Sequence, residues 1–175
     1  MTDPIALVTA AGPVRLRAEQ ADDHAFLSAL FRSHMGLELA GLPVDAATRE
    51  ALLGMQFNAQ TLTYRGNFPH ARFDIVEAED RPIGRLVVDS GGDTGCIVDF
   101  ALMPDWQRRG LGSAILAAML ERFVPLGRPV RCKVLMHNQA SVRMCHRVGF
   151  QQISQNPPFL QLEWRPDIQG SDRDT

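Results

Sequence analysis

The run Asp99-Phe-Ala-Leu-Met-Pro-Asp-Trp-Gln-Arg-Arg-Gly-Leu-Gly-Ser113, passing directly into the apolar-periodic stretch Ala114–Phe123, constrains the fold more than any other part of the chain. An apolar strand stops at Pro104, a loop ends in two glycines, and a helix opens where its first backbone N–H groups have no intrahelical partner. Those groups and the helix dipole suit a phosphate or pyrophosphate. Gly110 and Gly112 let the backbone approach such a ligand without a Cβ in the way, and Arg108 and Arg109 add charge-assisted contacts. Taken alone, Gly-Leu-Gly is equally compatible with an ordinary strand-to-helix connection.

Spacing excludes two commoner phosphate motifs. No Gly-Lys-Ser/Thr follows the glycines, so the lysine and magnesium-binding hydroxyl of a nucleoside-triphosphate loop are missing. A dinucleotide fingerprint needs a third small residue where Ile115 stands, and an acidic residue at the end of the next strand, where His137 and Asn138 stand.

A chain of 175 residues, 45% of them hydrophobic, supports one sizeable core and a single domain over 1–175. With 18 basic and 20 acidic residues the net charge is −2, which gives no electrostatic case for nucleic acid or an anionic membrane. Cys96, Cys132 and Cys145 form no metal-type pair, so no metal is expected; an odd cysteine count without a secretion signal suggests reduced thiols in the cytoplasm. No stretch approaches the roughly 18 apolar residues of a membrane span.

Residues 1–13 read as a loose start, followed by an alternating strand, Val14–Ala18. A helix follows, capped by Asp22 or Asp23, with Phe26, Leu27, Leu30 and Phe31 as its inner stripe. Gly41-Leu-Pro43 breaks it, and Asp45 caps a second helix whose apolar set is Ala47, Ala51, Leu52, Met55 and Phe57. Strands at Phe73–Ala78 and Ile83–Val88 flank a hairpin, and a third strand covers about Cys96–Met103. The helix 111–123, with Leu111, Ile115, Leu116, Met119, Leu120 and Phe123 buried, joins that strand to Val130–Met136, which implies parallel pairing. A helix over about 139–147 stops at Gly149, strands Phe150–Ser154 and Phe159–Trp164 follow, and 166–175 is a loose polar tail. The expected fold class is α/β, with a mixed sheet antiparallel at first and parallel at the site.

Gln107-Arg-Arg-Gly-Leu-Gly112 resembles the acyl-coenzyme A loop Gln/Arg-x-x-Gly-x-Gly/Ala of the GNAT superfamily of N-acetyltransferases. Asn138-Gln-Ala-Ser-Val-Arg-Met-Cys-His-Arg-Val-Gly-Phe150 resembles that superfamily's later motif, Asn-x-x-Ala-x-x-Leu-Tyr-x-x-x-Gly-Phe. The resemblance is carried from about Ile97 to Phe150. It implies a mostly antiparallel sheet with about four flanking helices and a splayed parallel pair holding acetyl-CoA, the acyl donor. The activity implied is acetyl transfer to a primary amine by direct attack in a ternary complex. The acceptor is a small molecule or a protein amine, its pocket shaped by the first two helices, and a homodimer is compatible with the family. The alternative function is a non-catalytic acyl-CoA-binding sensor or interaction module.

The resemblance also implies site roles. Residues Gln107, Arg108, Arg109, Gly110, Leu111, Gly112 and Ser113 would hold pyrophosphate, although Ser113 equally suits an ordinary first turn. Main-chain groups of Phe100, Ala101 and Leu102 would hold pantetheine, with the Leu102 N–H polarising the thioester carbonyl; these side chains also suit the core. Asn138 would hold backbone and pantetheine groups, or cap a helix. Cys145 stands where the family often has a tyrosine acid, so its thiol is a candidate proton donor to the leaving thiolate, or a small buried hydrophobe. The family's two glutamate positions carry Cys96 and Lys133 here. Asp99 is the nearest candidate base, yet alternation points it away from the face of Val98, Phe100 and Leu102, which also suits a structural carboxylate. A base acting through water from His34, Glu38, Tyr64 or His137 is equally compatible.

Overall fold

The computed structural model of the chain describes residues 3–9 and 12–166, the side chains of 37–40 excepted. Eight strands form one sheet in the order β1-β2-β3-β4-β5-β6-β8-β7. They are β1 (Ile5–Thr9), β2 (Gly12–Ala18), β3 (Arg72–Ala78), β4 (Arg81–Asp89), β5 (Gly95–Leu102), β6 (Val130–Leu135), β7 (Gln151–Asn156) and β8 (Phe159–Trp164). Neighbours pair antiparallel except β5 and β6. The helices are α1 (His24–Ala40), α2 (Ala46–Asn67), α3 (Leu111–Leu120) and α4 (Gln139–Arg147).

Short connections join β1 to β2, β3 to β4 and β4 to β5, whereas α1 and α2 stand between the antiparallel neighbours β2 and β3. Between β3 and β4 the two turn residues, Glu79 and Asp80, both take positive φ, 52° and 56°, as the tightest hairpin turns require. β5 and β6 run the same way and need a longer crossover, which α3 supplies. α3 buries Leu111, Ile115, Leu116, Met119 and Leu120 in a core that includes Leu16, Leu86 and Val130 of the sheet and Val142, Cys145 of α4. A second, smaller cluster joins Leu27 of α1, Phe57 of α2 and Ile75 of β3, with Phe26 and Phe31 against it.

Several expectations shift on contact with the fold. Residues 5–9, read as part of a loose start, form β1, which pairs with β2 from Ile5↔Leu16 to Thr9↔Gly12. Its single buried residue, Leu7, leaves little periodicity to read. In α2 the buried residues are Leu53 and Phe57, one turn apart, while Met55, Ala47 and Ala51 of the expected stripe are exposed. α3 ends at Leu120 rather than 123, and Glu121–Leu126 tightens into 3-10 geometry. Pro125 explains this, because its ring would clash with the Glu121 carbonyl in a continued α-helix. Phe123 is buried all the same. The tail at 167–175 lies outside the described residues.

Arg17 of β2 ties α1 to the sheet. Its guanidinium donates to both carboxylate oxygens of Asp23 at 2.7 Å, just before α1, and to Glu77 of β3 at 2.6 Å. Asp23 also accepts from the Gln20 N–H at 2.8 Å, and hydrogen bonding to Arg17 holds its carboxyl below the usual carboxylate range.

Two outcomes follow from this packing. Because Asp23 titrates lower in the folded chain, its contribution is complete above the ordinary carboxylate pKa of about 4 and is lost as pH falls through the depressed value. Asp23→Asn should therefore lower Tm at pH 7 and flatten the acid limb of a Tm-against-pH curve. In β4, a Cβ on Gly84 would fall on the Ala101 carbonyl oxygen and lie 2.6 Å from a Leu102 methyl group. Gly84→Ala should cost about 1–3 kcal/mol in denaturant unfolding.

Candidate active site

The parallel pairing of β5 with β6 lasts from Gly95↔Val130 to Ile97↔Cys132, yet β5 continues to Leu102 and β6 to Leu135. On its other edge β5 stays paired with β4 as far as Gly84↔Leu102, and the Met103 N–H donates to the Ile83 carbonyl at 2.8 Å. Antiparallel bonding alternates. Met103 and Ala101 therefore face β4, while the N–H and C=O groups of Phe100 and Leu102 face the gap that β6 leaves. The Leu102 carbonyl accepts from the Gln107 side-chain amide at 2.7 Å and lies 3.0 Å from Nε2 of His34.

At the end of this gap the chain curls through Arg108 (φ 58°) and Gly110 (φ 78°) into α3. Gly110 is the N-cap of α3, and no side chain caps it, whereas Asp45 caps α2 and Asn138 caps α4. The opening N–H groups of α3 are thus left for a ligand. Gly112, in the first turn, is where a Cβ would come 3.1 Å from the Met144 sulfur, so glycine lets the Met144 side chain lie close against the helix start.

Gap and loop open into one cavity of about 460 Å³. Of the residues expected from sequence, Phe100, Ala101, Leu102, Gln107, Arg108, Gly110, Gly112, Ser113 and Asn138 line it. α4 adds Arg143, Met144 and Arg147, and α1 brings in His34, one of the residues named from sequence as a base acting through water. Arg147 donates to the Ser113 hydroxyl at 3.0 Å, fixing α4 against the first turn of α3. Arg143 and Arg147 lie four apart, one helical turn, and that spacing was the signal available in the sequence. The Asn138 side-chain oxygen accepts from the Ser141 N–H at 3.1 Å, so the residue caps α4 while facing the cavity.

Other expected residues lie elsewhere. Leu111 is buried in the core beneath α3. The Arg109 guanidinium is turned over the Trp106 ring, 5.9 Å from its centroid, and the residue is not among those lining the cavity. Cys145 is buried on the core face of α4, its sulfur 3.9 Å from that of Cys132 on β6, and it does not line the cavity either. The hydrogen bond with Cys145, together with burial, pushes the Cys132 thiol far above its ordinary range. Asp99 faces away from the cavity and is held by Arg85 of β4 at 2.6 and 2.8 Å. Arg85 also donates to Gln60 at 3.0 Å and stands 5.7 Å from the centre of the Tyr64 ring. Burial and the neighbouring Asp99 charge push the Tyr64 hydroxyl up to about 12. His137 sits in the turn before α4, outside the lining, and the Glu38 side chain is outside those described.

This donor set fits the acyl carrier that the loop motif implies. It joins an uncapped helix start and three arginines for phosphates to a strip of outward-facing backbone for an amide-bearing arm. Among the described residues no group of side chains could hold a metal ion, and no helix is long and apolar enough to cross a membrane.

A sequence model of the acetyltransferase (GNAT) family matches residues 45–150. No curated protein matches the chain significantly. Solved structures do resemble it in fold. The PaiA N-acetyltransferase of Thermoplasma acidophilum, in complex with coenzyme A, is 14% identical with a TM-score of 0.66, over 87% of this chain and 98% of that one. RimJ of Mycobacterium smegmatis, in complex with CoA-disulfide, is 17% identical with a TM-score of 0.64, over 93% and 86%. An acetyltransferase from Thermus thermophilus is 20% identical with a TM-score of 0.61, over 92% and 99%.

The burial of Cys145 has a measurable consequence. Cys145→Tyr overfills the space between α4 and β6 and should cost about 1–3 kcal/mol in unfolding. Cys145→Ala should leave any transfer rate within about twofold of the parent across pH, because the thiol is buried in the core and does not line the cavity; a rate loss near the 10²-fold scale of a proton-transfer group would restore it as the acid.

Proposed function

This chain belongs to the acetyltransferase (GNAT) family, and we propose that it moves the acetyl group of acetyl-CoA to a primary amine by direct attack within a ternary complex. The observation that carries the proposal is the meeting of two features in one cavity: the backbone gap after Ile97↔Cys132 and the uncapped start of α3.

Acetyl-CoA supplies an activated acyl carbon. The chain's part is to bind, orient and polarise. N–H groups of Gly110, Leu111, Gly112 and Ser113 take the pyrophosphate, with Gln107 bracing the loop against Leu102 and Arg108 adding charge. Arg143 and Arg147 extend the positive wall along α4. Phe100 and Leu102 offer an open strand edge to the pantetheine arm, Ala101 between them lines the cavity while its backbone faces β4, and the Asn138 amide nitrogen remains for the arm once the oxygen is committed to the cap. The Leu102 N–H points at the place where a thioester carbonyl gains charge. The acceptor is an amine carried by a small molecule or by a protein.

Turnover decides between transfer and mere binding. Purified protein with acetyl-CoA and a panel of small amines, amino acids and amino-terminal peptides should release free CoA in an acceptor-dependent way. Tight acetyl-CoA binding with no such release would replace the proposal by a binding module. Gly112→Val should keep the fold, judged by thermal unfolding, and weaken CoA binding in calorimetry by roughly 10–100-fold, because its side chain obstructs the uncapped first turn of α3. Unchanged affinity in the folded variant would remove the loop from the site.

A further inference from the structure

Among the described residues lining the cavity, none carries a carboxylate, and the arginines stay protonated. His34 is the side chain there whose ordinary chemistry includes taking up a proton near neutral pH. It comes from α1, and it is exposed. Its Nε2 lies 3.0 Å from the Leu102 carbonyl oxygen. A carbonyl oxygen only accepts, so Nε2 carries the hydrogen, and in the neutral ring the lone pair sits on Nδ1.

We infer that His34 is the general base of this enzyme, with Nδ1 receiving the proton of the attacking amine. The inference rests on the acetyl transfer proposed above and names the residue that completes it. Leu102 then serves both sides of the reaction, its N–H facing the thioester oxygen and its carbonyl fixing the ring that faces the amine. In the balanced step the amine nitrogen forms a bond to the acyl carbon, the C–S bond breaks with its electron pair going to sulfur, and the amine proton passes to Nδ1. His34 returns that proton to solvent, which its exposed position reaches, and the sulfur takes one from solvent to become the thiol. The products are an amide and CoA.

Among the described side chains, the charged groups near this position are Arg108, Arg143 and Arg147 within the cavity, the Arg32–Glu50 pair between α1 and α2, and the Arg85–Asp99 pair of the sheet. Asp99 is engaged by Arg85, and Cys145 is buried in the core. Neither competes for the role.

His34→Gln separates the ring's two functions, because the glutamine amide keeps a donor for the Leu102 carbonyl and has no base. With the best acceptor from the panel, kcat should fall about 10²–10⁴-fold, while acetyl-CoA affinity in calorimetry and Tm stay near the parent values. The parent's pH–rate profile should carry an ionisation beyond that of the amine; the variant's should carry the amine's alone. Nitrogen-15 spectra of the ring should show the Nε2–H tautomer in the neutral form. Rates within threefold of the parent at every pH, or an Nδ1–H tautomer, would overturn the assignment. A parent protein that binds acetyl-CoA yet releases no CoA with any amine would instead overturn the acetyl-transfer proposal, and the base with it.

Discussion

The parting of β5 from β6 after Ile97↔Cys132 is the constraint on which the rest of the site depends. A parallel pair cannot be closed by a tight turn, so the chain must leave the sheet, cross over as α3 and return. That crossover puts a helix start at the carboxyl end of β5, where the strand has just lost one neighbour. Unpaired backbone on the strand edge and unpaired N–H groups on the helix therefore arise side by side from one topological event. Gly110 and Gly112 make the corner negotiable, the first by a left-handed φ of 78° and the second by leaving room for Met144.

Holding a strand edge open costs hydrogen bonds unless other groups take them. Here Gln107 and His34 converge on the Leu102 carbonyl, one from the loop and one from α1. The position of α1 in turn depends on the Arg17 cluster, where Asp23 and Glu77 share one guanidinium across β2, β3 and the turn before the helix. A charge cluster at one end of α1 and an aliphatic contact at Leu27 thus fix where His34 stands, three helical turns from the cluster.

Sequence reading recovered the parts of this arrangement that rest on local chemistry. The strand, Pro104, the paired glycines and the six apolar residues of α3 and its continuation form a pattern whose physical meaning is confined to a few neighbours, and Asn138 signals its own cap. Residues whose role depends on contact across the fold were less legible. β1 shows one buried residue and is a strand because β2 lies beside it. Leu53 rather than Met55 is buried because the phase of α2 is set by where Phe57 packs with Ile75, which no local pattern records. Arg143 and Arg147 look like ordinary surface cations until α3 brings Ser113 within reach of one of them.

Catalytic positions show the same division more sharply. A motif assigns Cys145 by its place in a helix, but the helix turns that place toward Cys132 and the core, and gives the cavity face to Met144 and its arginine neighbours. Asp99 is close in sequence to Leu102 and lies on the opposite face of the same strand, where Arg85 engages it at 2.6 Å in a half-buried cluster with Gln60 and Tyr64. Taking a proton from an amine would require that carboxylate to leave the buried Arg85 guanidinium without its counter-charge, a costly exchange. A carboxylate so engaged stabilises the sheet. Proton transfer is better served by a group that is anchored through one atom and free at another, and the His34 ring, donating from Nε2 to a strand carbonyl, has that form.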